Sequence, residues 1–134
     1  MTTEQLASSY TLFSRLRWVG IASFALAAPL FVISVAALLV GRGGWGLVLP
    51  GVAALGLSLG AFGSANDSAI YAARELGLRG AAPPAAAAEV AVEAARRPAR
   101  LAKAHASPKT AFAVPVLVLL LHGYLWPRVL AAWG

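Results

Sequence analysis

Residues 51–76 read GVAALGLSLGAFGSANDSAIYAAREL. The first half is apolar, uncharged and dotted with small residues. From Asn66 onward it turns polar and charged, with no proline to break a helix in between. Read outward from here, the stretch is the middle one of three membrane spans, continuing as a helix beyond the bilayer surface.

Composition supports lipid as the solvent. The chain has 134 residues, is 60% hydrophobic and only 12% charged, with a mean hydropathy of +0.75. Soluble domains carry about 25% charged residues. A chain this short cannot hide so much apolar surface in one core. It contains no cysteine, so disulfide scaffolds, thiolate metal sites and cysteine nucleophiles are excluded.

Three runs lack charge: residues 18–40, 43–66 and 110–127. At a rise of 1.5 Å per residue the first makes roughly 34 Å of helix, enough to cross a hydrocarbon core with some tilt. Pro29 lies near its centre and predicts a kink. Gly41-Arg42-Gly43-Gly44 is a tight connection that makes the first two runs a hairpin. Trp18, Trp45, Trp126 and Trp133 fall at run ends, where an interfacial aromatic belt sits. The third span extends through Arg128 to residue 133. The expected organisation is therefore a 1–17 N-terminal segment, spans over 18–40, 45–76 and 110–133, and a 77–109 loop between the last two.

Within residues 1–17, Leu6, Tyr10, Phe13 and Leu16 share one helical face. Thr2 and Gln5 fit a capping box. Two readings are open, an amphipathic helix lying on the membrane surface or a frayed start of the first span. Gly77-Leu78 reads as the stop of the middle helix, with glycine in a left-handed turn. In the loop, residues 82–97 (APPAAAAEVAVEAARR) read as a helix. Glu93 and Arg97 stand at the favourable i, i+4 spacing, and Pro98 ends or kinks the helix.

Charge sets the expected orientation. Arg15, Arg17, Arg74, Arg79, Arg96, Arg97, Arg100, Lys103 and Lys109 fall on one side of a three-span arrangement, and Arg42 and Arg128 on the other. The positive-inside rule then places the N-terminus and the long loop in the cytoplasm and the C-terminus outside, in a bacterial-type inner membrane. The net charge of +6 is read as orientation and headgroup attraction rather than nucleic-acid binding. Arg96, Arg97, Arg100 and Lys103 form a basic cluster suited to anionic headgroups, each worth about 1 kcal/mol near the surface. A solvated loop that only sets topology is the plainer alternative.

Three features bear on function. Gly56, Gly60 and Ser64 are four apart, a small-residue ladder of the kind that marks close helix contact in lipid. The contact is either internal or with another subunit. Asn66, Asp67, Tyr71, Arg74 and Glu75 form a polar cluster where the middle run ends, read as an ion site, a docking surface or a cap that ties the loop down. His122 lies inside the third apolar region. A bis-His haem needs a second histidine on a facing span, and the only other one, His105, is in the loop. Hydrogen bonding across helices is the commoner fate of such a residue.

No catalytic motif is present, two histidines without cysteine make no transition-metal site, and no cofactor is expected. The fold class is an all-α, integral membrane three-span helical bundle with an amphipathic N-terminal segment and a basic, partly helical cytoplasmic loop. The expected function is a non-catalytic accessory, anchor or assembly subunit of a larger membrane complex. Its partners are membrane lipids, other membrane subunits or further copies of itself. The alternative is a small oligomeric channel or transporter for ions or protons that uses Asp67 and His122.

Overall fold

The computed structural model describes residues 1–134. It contains five helices and no strand: α1 (Thr3–Leu39), α2 (Trp45–Leu78), α3 (Pro84–Arg96), α4 (Pro98–Lys103) and α5 (Pro108–Trp133). Helices α1, α2 and α5 are long and apolar enough to cross a membrane, which fits an integral membrane protein.

Local chemistry explains where the helices start and stop. Thr2 and Gln5 form the expected capping box. The Thr2 amide donates to Gln5 Oε1 at 2.8 Å and the Gln5 amide donates to Thr2 Oγ1 at 3.2 Å. Helix α1 ends at Gly41, which takes φ +73°. The Arg42 amide returns to the Ala37 carbonyl and the Gly41 amide to that of Leu38, the two bonds of a Schellman motif. The same motif closes α2, but at Gly80 with φ +68° and not at Gly77 as expected. The Ala81 amide reaches the Leu76 carbonyl, and the Gly80 amide reaches that of Gly77. Two glycines three residues apart offer the same stop, and the helix uses the second. Pro98 separates α3 from α4. It forces Arg97 ahead of it out of helical geometry, to φ −142°. That turn carries Arg97 off the helix face, and the expected Glu93–Arg97 pair is absent from the three ion pairs that form.

The chain divides into two compact units. The first holds residues 1–17 and 63–111. Its core is Leu6, Tyr10 and Phe13 of α1 against Ala69, Ala72, Ala73 and Leu76 of α2, Ala86 of α3 and Ala111 of α5. The N-terminal apolar face is therefore covered by protein, with Leu16 packed at its edge. The helix that carries this face, α1, continues unbroken from Thr3 into the first long apolar run, and the alanine-rich side of α2 gives its large side chains a flat surface to fill.

The second unit holds residues 18–62 and 112–134. Ala27 and Leu30 of α1, Ala54 of α2, and Leu125 and Val129 of α5 form its core. Buried serines return their hydroxyls to their own helices. Ser34 donates to the Leu30 carbonyl and Ser58 to that of Ala54, both at 2.7 Å, so neither leaves an unpaired group in an apolar setting. Among the glycines, Gly20 has the tightest surroundings. A Cβ built there would lie 2.6 Å from the Phe62 nitrogen and 2.8 Å from its Cα, so only glycine fits. Gly51 plays a milder version of this part against Phe31, whose Cα would stand 3.6 Å from such a Cβ.

Candidate functional site

The polar side chains of the first unit converge where residues 63–76 of α2 meet the end of the N-terminal segment, α3 and α4. Arg17 is the centre. Its Nη1 donates to Asn66 Oδ1 at 3.1 Å, and its Nη2 donates to Ser14 Oγ at 3.3 Å and forms a short ion pair with Glu89 of α3. The Tyr10 hydroxyl donates to the other Glu89 oxygen at 2.9 Å. Burial first, and then the neighbouring Glu89 carboxylate, push the Tyr10 phenol above its ordinary value, so it stays a donor. Glu89 thus receives a cation on one oxygen and a neutral donor on the other. That double tie fastens α3, whose mostly alanine surface buries only Ala86.

The expected cluster is present, but its members are consumed within the chain. Asp67 accepts from Arg100 at 3.5 Å, which ties α4 to α2 and takes Arg100 out of the basic set free for headgroups. Arg96, Arg97 and Lys103 remain exposed. Arg74 reaches to the end of α4, where Nη1 donates to the carbonyls of Leu101 (2.7 Å) and Ala102 (3.1 Å), and Nη2 to that of Ala104 (3.3 Å). These carbonyls stand at a helix end, where backbone acceptors lack the full set of intrahelical donors, and that of Leu101 also takes the Ala104 amide. Its guanidinium also lies 5.5 Å from the Tyr71 ring centre, with Glu75 at 3.8 Å. Ser68, buried on the same helix, accepts from the Ser107 amide at 2.9 Å and positions the entry to α5. Of the expected cluster, Asp67 and Arg74 bond to the loop directly, Asn66 bonds to Arg17, and Tyr71 and Glu75 flank Arg74 on their own helix.

Between α3 and the Arg17 side lies a groove of about 300 Å³. Its lining includes Arg17, Asn66, Ile70, Glu89, Val92 and Glu93. Glu93 is part of that lining, and its Oε2 is buried with no hydrogen-bond partner in the protein.

In the second unit, His122 is buried on α5, with both ring nitrogens engaged. Trp126 Nε1, which can only donate, lies 3.2 Å from Nδ1. Nδ1 is therefore the acceptor, and the neutral ring carries its proton on Nε2, which donates to the Ser23 carbonyl at 3.2 Å. The indole N–H of Trp126, expected at the interface, is turned to this bond. Trp18 and Trp45 do stand exposed. Arg42 donates to the Trp133 carbonyl at 3.1 Å and holds the first turn to the end of α5.

The small-residue ladder falls outside the internal seam. Gly56 and Gly60 are exposed and Ser64 is half-buried. A Cβ at Gly56 would meet nothing within 4 Å, and one at Gly60 only Val114 Cγ1 at 3.9 Å. The buried side of α2 in this unit is the neighbouring set Ala54, Ser58 and Ala61, offset from the glycines around the helix. Comparison with protein families, with curated proteins and with solved structures finds no match to this chain.

Arg17, Glu89 and Gly20 are site or packing residues to which sequence reasoning gave no such role, and Tyr10 was named only for the apolar face of residues 1–17. Arg17 offered one cue, as the last charge before an uncharged run. Nothing in the spacing of Glu89 names a partner 72 positions away.

Proposed function

We propose that this chain is a non-catalytic accessory, anchor or assembly subunit of a larger membrane complex. It sits in a bacterial-type inner membrane with the N-terminus and long loop cytoplasmic and the C-terminus outside. The exposed pair Gly56 and Gly60 on an apolar helix carries the reading. Glycine inside a helix costs about 0.5–1 kcal/mol relative to alanine. Two of them, one turn apart, are repaid when a second helix packs across them, and in lipid such packing drives association. Their exposed neighbours Val52 and Leu59 give the notch apolar rims.

The channel or transporter alternative has weaker support. Asp67 is already paired with Arg100, and both nitrogens of His122 are engaged.

Native mass spectrometry of the protein purified in mild detergent tests the reading. The expected result is co-isolation of other polypeptides in fixed ratio, lost in the Gly56→Ile, Gly60→Ile double variant while its helical circular dichroism is unchanged. A monodisperse monomer or homo-oligomer with no other chain overturns it.

A further inference from the structure

We propose that the groove beside α3 binds a primary ammonium group, presented by the headgroup of an aminophospholipid. An ionised carboxylate accepts hydrogen bonds only, and buried polar atoms are nearly always paired. Glu93 Oε2 breaks that rule, and Glu93, itself only partly buried, lines the groove, so its carboxylate is the acceptor left for something outside the chain. Its neighbour one turn back, Glu89, is committed to Arg17 and Tyr10, so the free negative charge belongs to Glu93.

The donor set selects the ligand. One free carboxylate falls short of the roughly six oxygens a hard divalent cation gathers, and no group of three or more acidic or histidine ligands stands together. An ammonium with N–H donors needs only one or two acceptors and forms a charge-assisted bond. Ile70 and Val92 give an apolar wall for the attached carbon chain, and the Arg17 guanidinium lines the same groove for the phosphate next to the amine.

Position selects the source. Arg17 directly precedes the uncharged run 18–40, and Asn66 is the last residue of the run 43–66. Both run ends fall at headgroup level if those runs cross the bilayer. The inference rests on that membrane placement but needs no partner subunit, so it survives if co-isolation fails.

The test is lipid retention by the full chain under native mass spectrometry, from detergent supplied with equal dioleoylphosphatidylethanolamine and dioleoylphosphatidylcholine. The choline headgroup has the same charge but no N–H to donate. The expected result is retention of the ethanolamine lipid by about tenfold over the choline lipid, the scale of one charge-assisted hydrogen bond, and loss of that preference in Glu93→Gln. Equal retention by the wild type, or a preference intact in Glu93→Gln, overturns the proposal. The wild-type comparison stands even if the variant misfolds. Free ethanolamine is the third arm. No displacement at millimolar concentration is expected, and displacement overturns the lipid assignment in favour of a soluble amine.

Discussion

Replacing Gly20 with alanine is expected to destabilise the protein by about 1–3 kcal/mol, and with valine by more. The obstacle is backbone. The new Cβ would sit 2.6 Å from the Phe62 nitrogen and 2.8 Å from its Cα, and no rotamer change relieves that. The α1 and α2 helices must separate locally, which loosens the packing that holds helices together in lipid. Gly56→Ala is the matched control. Its Cβ enters open space, and alanine is the better helix former by about 1 kcal/mol, so the isolated chain should be unchanged or slightly more stable. Unfolding in mixed micelles, followed by helical circular dichroism, measures both. Equal stability of Gly20→Ala and the wild type would contradict the close approach.

The second large effect is expected from Arg17→Met. Methionine keeps much of the stem but removes the donors to Asn66, Ser14 and Glu89. Asn66, which is buried, loses its donor, and Glu89 keeps only Tyr10. Removing one partner of a fully buried ion pair costs about 3–5 kcal/mol. Here the side chains remain 18% and 30% exposed, so about 1.5–3 kcal/mol is the better figure. The consequence is local, because α3 has little else to hold it. Amide exchange across residues 84–96 should accelerate by about ten- to a hundredfold, while exchange in the second unit stays as it was. Glu89→Gln keeps a carbonyl acceptor for Arg17, and its new amide N–H can donate to the Tyr10 hydroxyl oxygen, so it should give less than half the effect. Unchanged exchange in Arg17→Met would show that α3 is fastened elsewhere.

The long helices were legible because hydropathy and length are local properties. The uncharged runs at 18–40, 43–66 and 110–127 gave helices through Leu39, from Trp45 and through Trp133. The capping box was legible for the same reason, as was the break at Pro98. The stop at Gly80 was missed because Gly77 offers the same chemistry and local sequence does not rank the two.

Which helix faces the small-residue ladder was not legible for a related reason. Periodicity identifies a face of small residues but not which helix faces it. Gly56 and Gly60 lie beside the buried set Ala54, Ser58 and Ala61, whereas the glycine that admits a neighbouring backbone is the solitary Gly20. The polar cluster was found residue by residue, yet its bonds were not. Asp67 to Arg100, Arg74 to the end of α4, and Arg17 to Glu89 all join segments distant in sequence. Long-range pairs between common residue types leave no trace in spacing.

The proposed placement of the chain in the membrane underlies both the proposed docking notch and the proposed lipid site, and the absence of cysteine makes it directly measurable. Single cysteines introduced as Ser8→Cys, Ala95→Cys, Gly44→Cys and Gly134→Cys can each be tested on intact bacterial cells with a membrane-impermeant maleimide. Labelling of the Gly44 and Gly134 variants from outside is expected, with the Ser8 and Ala95 variants labelled only after lysis. Labelling of Ser8→Cys and Ala95→Cys from opposite sides, or of all four from one side, would contradict a chain that crosses three times with its N-terminus and long loop together in the cytoplasm.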